Sequence, residues 1–156
     1  MGVRPTYASH AGAYLVDSFY SQRIFGQTIK YARTRVLVVD NHHDGAEALG
    51  LLLDLLGCDV RLAYSGRQAL TIAPAFDPDL VVLDLQMPDM DGIETARRLR
   101  AQSWSWHCVF ASHSASANPE IGDISHRAGF QHHVRKPSPP GTFEALLATL
   151  SSEHEA

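Results

Sequence analysis

Short runs of aliphatic residues recur along the chain, and each run ends abruptly on a charged or polar residue. Val36–Val39 leads directly into Asp40, and Leu80–Leu83 leads into Asp84 before a turn rich in Pro and Gly. Strands that are apolar throughout are typical of parallel sheets covered on both faces, and ligands of such sheets collect beyond the carboxyl ends of the strands. We therefore expect Asp40 and Asp84 to lie in one crevice.

A third predicted strand, Phe130–Val134, is followed by Arg135 and Lys136, which predicts an ammonium group at the same rim of the sheet. Between the runs, apolar residues recur at the spacing of amphipathic helices. The pattern predicts helices over 44–56, 65–75, 92–99, 120–128 and 140–150, and further strands over 59–63 and 107–113. This alternation of strands and helices predicts an α/β fold with a doubly wound parallel sheet of five strands.

Two features of these helices are specific predictions. Asp44 and Ser65 are expected to cap the first and second helices, since short polar side chains satisfy free backbone N–H groups at a helix start. Arg97, Arg98 and Arg100 are expected to form a solvated face of the third helix.

Residues 1–34 differ from the rest of the chain, because their aromatic residues are scattered among small and polar ones without a sustained period. Two interpretations stay open for this extension: it is disordered, or its aromatic residues pack on the domain or mediate self-association. We expect one domain over residues 35–152, with a short tail at 153–156.

Composition narrows the function. The formal net charge of -4 and the pI of about 6.1 leave no basic footprint, so we expect no direct contact with nucleic acid. Cys58 and Cys108 occur without a secretory segment, which indicates reduced thiols in a cytoplasmic protein. No apolar run approaches the roughly 18 residues of a membrane span, so no membrane partner is expected.

The ordered set of an acidic strand end, the stretch Leu80–Gly92, Ser114-Ala115 and Lys136-Pro137 resembles the response regulator receiver domains of two-component signalling. The resemblance covers most of the chain from residue 35. It implies a flavodoxin-like (CheY-like) three-layer α/β/α fold with strand order 2-1-3-4-5. It also implies that Asp84 is the phosphoacceptor, which takes a phosphoryl group from a sensor histidine kinase or a histidine phosphotransfer protein.

The resemblance implies Mg2+ as the cofactor. By the family pattern Asp84 and Asn41 would bind the ion directly, Asp40 through water, and the backbone carbonyl of Gln86 would complete the protein ligands. Asn41 departs from the family, which usually has a carboxylate there. Because a unit charge a few ångströms away is worth on the order of several kcal/mol before desolvation, we expect weakened Mg2+ binding.

The other family positions also map onto this chain. Lys136 and Ser114 would contact the phosphoryl oxygens, Ala115 would leave space for them, and Pro137 would follow a cis peptide bond. Ser112 is a rival for the role of Ser114 because the region is rich in serine. His133 stands where the family commonly has an aromatic switch residue, and Ser114 would switch with it.

The leading interpretation is a stand-alone receiver that signals to an unknown output protein through protein–protein contacts, with no enzymatic activity beyond its own phosphorylation and dephosphorylation. The alternative is a degenerate receiver that acts as a phosphorylation-independent interaction module. A small-molecule phosphatase is disfavoured because Asp84 is followed by Leu85-Gln86 instead of a second Asp two residues on. A transition-metal site is not expected, because adjacent histidines on a strand point to opposite faces and no Cys or second His stands at ligand spacing.

Overall fold

The structure of the chain, a computed structural model, describes residues 15–16, 31 and 34–154. Its strands are β1 (Leu15–Val16), β2 (Arg35–Val39), β3 (Asp59–Ala63), β4 (Leu80–Leu83), β5 (Val109–Ser114) and β6 (His132–Arg135). Its helices are α1 (His43–Leu55), α2 (Gly66–Phe76), α3 (Gly92–Arg100), α4 (Ile121–Arg127) and α5 (Thr142–His154), with a short 3-10 helix at Ser103–His107.

The described strands form one sheet in the order β1-β3-β2-β4-β5-β6. Strands β2 to β6 are the five predicted strands, and they run parallel in the predicted order 2-1-3-4-5. The fold class is therefore confirmed. The carboxyl ends of β2, β4 and β6, from which the predicted site residues follow, all lie at one edge of this sheet.

Alternate residues of each central strand enter different halves of the core. In β2, Val36 and Val38 pack with α1 and α5, whereas Leu37 and Val39 pack with α2 and α3. Because side chains alternate along a strand, a run with no polar member requires cover on both faces, and helices on either side supply it. The three layers follow directly from that apolar pattern.

The extension at 1–34 falls mostly outside the described residues. Its described part contacts the domain: Leu15 and Val16 pair antiparallel with β3, and the Tyr31 hydroxyl donates to the backbone oxygen of Glu144 over 3.2 Å. The sequence did not predict β1, because two residues carry no measurable period. Tyr31 is buried, so this one aromatic residue of the extension packs on the domain.

The two predicted caps have different outcomes. Ser65 caps α2 as predicted, since its side chain accepts the Gln68 N–H. The prediction for Asp44 was wrong: α1 begins at His43, so Asp44 lies inside its first turn. The chain turns early because the Asp40 carboxylate accepts the His42 N–H over 2.9 Å, and α1 starts without a side-chain cap.

The prediction that Arg100 faces solvent was also wrong. Its guanidinium donates to the backbone oxygens of Ser105, Cys108 and Gly129 over 3.0, 2.6 and 2.9 Å, and to the Gln131 side chain over 2.7 Å. These acceptors lie in the 3-10 helix and the loops beside β5 and β6. Strands β5 and β6 also begin later than the sequence predicted, at Val109 and His132.

Both cysteines of the described region are free and buried, and burial raises the pKa of each thiol to about 12. In the described part of the chain, no helix has the length and apolar character needed to cross a membrane.

Candidate functional site

Asp84 lies directly after β4 at the carboxyl edge of the sheet. Its backbone N–H continues the parallel ladder by donating to the Val39 oxygen over 2.9 Å, and its side chain is 5 % exposed. One carboxylate oxygen, Oδ1, accepts the Gln86 N–H over 3.0 Å. The other, Oδ2, faces the neighbouring strand ends. The sheet therefore presents one oxygen of Asp84 to the pocket while the backbone fixes the other.

Gly92 is required by the close approach of α3 to this loop. A β-carbon at Gly92 would lie 2.2 Å from the Asp84 backbone oxygen and 2.7 Å from the Leu85 Cα. Any side chain would push α3 away from the strand end. The Asp84 loop and the start of α3 thus form one rigid unit.

Asp40 ends β2 and is also 5 % exposed. Its Oδ1 accepts the His42 N–H, while its Oδ2 accepts a hydrogen bond from the Lys136 Nζ over 2.7 Å. Lys136 Nζ lies 3.5 Å from Asp84 Oδ2. The structure therefore brings Asp40, Asp84 and Lys136 together, and the peptide bond after Lys136 is cis, as the resemblance implied.

The two carboxyl groups have opposite shifts in pKa. Burial opposes ionisation of Asp40, but its hydrogen bonds from Lys136 and the His42 backbone outweigh burial and lower its pKa. Burial raises the pKa of Asp84 most strongly; the Gln86 N–H and Lys136 oppose this shift, the charge of Asp40 adds to it, and the pKa stays raised. Lysine is closer to Asp40, so Asp40 holds the ammonium group and Asp84 is left less well compensated.

Asn41 occupies the loop after β2. Its buried Oδ1 has no hydrogen-bond partner among the described residues. A buried oxygen without a donor is costly unless a cation or water satisfies it. An orphaned buried oxygen on the residue that directly follows Asp40 is therefore an observation that favours a bound cation.

His42 is a site residue that the sequence analysis missed. Its Nδ1 lies 3.4 Å from Asp40 Oδ1 and 4.0 Å from Asp84 Oδ2, so the three side chains form a group able to hold a metal ion. No Cys or second His stands at ligand spacing from His42 in the sequence, and its companions in the structure are carboxylates instead. The spacing of Asp40 and His42, two residues apart at a strand end, was the available signal.

The predicted switch residues lie on β5, which pairs with β4, and on β6, which pairs with β5. Ser114 is fully buried at the end of β5, its Oγ accepts the Ser116 N–H over 3.1 Å, and its backbone oxygen accepts the Lys136 N–H. His133 is exposed on β6, and its Nδ1 lies 2.5 Å from the Ser112 Oγ. Ser112 is thus engaged with His133, while Ser114 belongs to the loop that contains Ala115.

The comparisons with known proteins agree with this geometry. A family model described as the response regulator receiver domain matches residues 36–148. Among solved structures, the chemotaxis protein CheY4 of Vibrio cholerae is 29 % identical with a TM-score of 0.69, covering 78 % of this chain and 98 % of CheY4. A putative response regulator from Chloroflexus aurantiacus is 25 % identical with a TM-score of 0.72, covering 77 % and 98 %.

Curated relatives include ethylene receptor 2 of Arabidopsis thaliana, 37 % identical over 66 % of this chain, and the DNA-binding response regulator MtrA of Mycolicibacterium smegmatis, 36 % identical over 79 %. The chain spans 14 % of the length of the first and 53 % of the second, so only one module of each is shared. With a family match over more than half of its residues, the chain belongs to the response regulator receiver domain family.

Proposed function

We propose that this receiver accepts a phosphoryl group on Asp84 from a sensor histidine kinase or a histidine phosphotransfer protein. The observation that carries the proposal is the unequal sharing of one ammonium group. Lys136 Nζ holds Asp40 at 2.7 Å and stands 3.5 Å from Asp84 Oδ2, within reach of a group added to that oxygen. An ammonium group in that position is a point-charge donor suited to phosphoryl oxygens.

In the proposed reaction, the ionised Oδ2 of Asp84 attacks phosphorus in line with the bond to the donor's histidine nitrogen. An O–P bond forms as the P–N bond breaks, and the electron pair returns to the imidazole. Burial favours this carboxylate as a nucleophile, because it raises the pKa of Asp84 and leaves the anion poorly stabilised. Lys136 then neutralises part of the charge on the transferred group.

Receiver domains bind Mg2+ at their acidic phosphorylation site, and the residues present here fit such an ion. Asp40, Asp84, Asn41 and the backbone carbonyl of Gln86 would hold it, and the orphaned Oδ1 of Asn41 is an oxygen of the kind that hard cations bind. When bound, the ion supplies positive charge to the two carboxylates and the incoming phosphoryl group. The amide at position 41 carries no charge, so we propose weaker Mg2+ binding than two acidic residues in this loop would give.

The output is proposed to be a protein partner that contacts the surface around α4, β6 and α5. A phosphoryl group adds roughly -1.5 to -2 units of charge, which would draw the Ser114 hydroxyl and displace the loop before α4. The Ser112–His133 hydrogen bond would then break as the imidazole turns inward. MtrA is named a DNA-binding response regulator; for this chain, action as a stand-alone receiver without nucleic-acid contact stays a prediction.

A second candidate is the phosphorylation-independent interaction module. Asn41 favours it, because one carboxylate of the acidic loop is missing. One experiment separates the two candidates. The protein is incubated with acetyl phosphate and Mg2+, and its intact mass is measured.

We expect a mass gain of one phosphoryl group that is lost in Asp84→Asn. The matched control is Asp89→Asn, at an exposed position of the same loop whose positive φ of 65° suits asparagine. Absence of labelling in wild type would assign the chain to the interaction module, and equal labelling of Asp84→Asn would reject Asp84 as the acceptor.

A further inference from the structure

The imidazole of His42 lies at the edge of the pocket that Asp40 and Asp84 form. One ligand atom from each of the three side chains lies within 4.8 Å of the others. Ligand atoms that share one ion at about 2.0–2.2 Å stand roughly 3–4 Å apart. The distances from His42 Nδ1 to Asp40 Oδ1 and Asp84 Oδ2, 3.4 and 4.0 Å, fall in that range.

The two oxygens of Asp40 are divided between different partners. Oδ2 binds Lys136 at 2.7 Å, whereas Oδ1 faces His42. An ion between His42, Asp40 Oδ1 and Asp84 Oδ2 can therefore bind while the hydrogen bond from Lys136 to Asp40 Oδ2 is kept. The His42 side chain is 72 % exposed, so its ring has room to turn toward an ion.

The neighbouring His43 has a different environment. Its ring stacks on Tyr64 with the ring centroids 3.8 Å apart, and it is absent from the group of ligand atoms around the pocket. His42 is thus a candidate ligand, whereas the adjacent His43 is an exposed imidazole outside the group of ligand atoms. His43 is the matched control for His42.

The charge and donor types of the pocket determine which ion it favours. Asn41 contributes a neutral oxygen, which weakens the site for a hard ion such as Mg2+. Imidazole nitrogen is a ligand that Co2+, Ni2+ and Zn2+ accept readily and Mg2+ does not. The two carboxylates and the imidazole therefore form a mixed oxygen and nitrogen donor set.

We propose that His42 is a metal ligand that makes this pocket prefer divalent transition ions to Mg2+. The inference rests on the proposed function only because both involve the carboxylates of Asp40 and Asp84. It concerns ion binding before any phosphoryl group arrives. The preference would let a transition ion occupy the phosphoacceptor pocket at concentrations where Mg2+ does not.

The test is calorimetric titration of the protein with Co2+ and, separately, with Mg2+, without a phosphodonor. In wild type we expect Co2+ to bind one site more tightly than Mg2+. His42→Ala should weaken Co2+ binding by roughly tenfold or more and leave Mg2+ binding within about twofold. Asp84→Asn should lose the same Co2+ site, and His43→Ala should change neither affinity.

Three results would overturn the proposal: Co2+ binding no tighter than Mg2+ in wild type, Co2+ affinity unchanged in His42→Ala, or an equal loss for both ions. A thermal melt of His42→Ala checks its folding, and His42→Gln is the second variant if alanine impairs it. Acetyl phosphate labelling is scored separately. If Asp84 is labelled but Co2+ binding does not depend on His42, this inference alone is refuted. If Co2+ binding depends on His42 but Asp84 is not labelled, the proposed function alone is refuted.

Discussion

Two polar clusters at opposite ends of β5 differ in how completely their groups are paired. Around Arg100, one guanidinium donates to three backbone oxygens and one amide, and it lies 3.9 Å above the Phe110 ring. Around Asp84, two carboxylates share one ammonium group, and the buried oxygen of Asn41 has no partner among the described residues. Both clusters are built from polar groups that the fold removes from water.

The difference indicates what each cluster does. A planar guanidinium whose two terminal nitrogens each donate to two acceptors joins α3, the 3-10 helix and the β6 loop, so those donors are already used within the fold. A pair of like charges with an orphaned oxygen stores unfavourable free energy that a bound cation would relieve. The first cluster stabilises the fold, whereas the second leaves negative charge that a ligand can compensate.

Removing Arg100 should give the largest change in stability. Arg100→Ala removes four hydrogen bonds from a charged donor and the contact with the Phe110 ring, and it should lower the free energy of unfolding by about 3 kcal/mol. Arg98→Ala is the control, because Arg98 forms only an exposed pair with Glu94 and should cost about 0.5 kcal/mol or less. Urea unfolding measures both variants. Equal losses would mean that Arg100 contributes no more to the free energy of unfolding than an exposed ion pair on the same helix.

His113 should give the next largest effect, which is a dependence of the free energy of unfolding on pH. Burial lowers the pKa of His113 to about 4, with Lys136 adding to the effect, and the ring contacts the edge of Phe143. The unfolded chain takes up this proton near pH 6.5 and the folded protein near pH 4, so stability falls as the pH drops through that window. The loss is on the order of 2 kcal/mol.

His113→Leu should flatten this part of the pH dependence of the free energy of unfolding. His126→Ala, at an exposed position of α4, should keep the wild-type dependence. If both variants keep the wild-type slope between pH 6.5 and 4, His113 is not a buried neutral group in solution.

Asp84→Asn should make the protein more stable while abolishing phosphorylation. Asn removes the less well compensated of the two like charges, so the free energy of unfolding at pH 7 should rise by on the order of 1 kcal/mol. Because the folded pKa of Asp84 is raised, its penalty is present above that pKa and fades as the pH falls. The gain over wild type should therefore shrink on acidification. A loss of stability at pH 7 would mean that the charge of Asp84 is well compensated in the folded protein.

Ser112→Ala should have the smallest effect. The hydroxyl is bonded to the exposed ring of His133, and losing one such bond costs about 0.5–1.5 kcal/mol. The sharper readout is the ring signal of His133 by NMR, which should shift toward that of a free exposed imidazole. An unchanged ring signal would show that His133 is not held by Ser112 in solution.

The sequence predicted the sheet and the convergence of Asp40, Asp84 and Lys136, because each of them follows a predicted strand and the edge of a parallel sheet collects such residues. It did not predict Arg100, because its acceptors lie as far as 31 residues away along the chain and only the packed β6 loop brings them near. His42 was missed because the direction of its ring depends on the loop that follows β2.

We propose Asp84 as the phosphoacceptor of a pocket in which two carboxylates share one ammonium group. This role is tested by the unfolding of wild type, Asp84→Asn and Arg100→Lys with Mg2+, with and without beryllium fluoride as a phosphoryl analogue. At a hundredfold excess over its Kd the analogue should stabilise wild type by about 2.7 kcal/mol, and Arg100→Lys by the same amount, while leaving Asp84→Asn unchanged. No stabilisation of wild type, or an equal stabilisation of Asp84→Asn, would contradict the account.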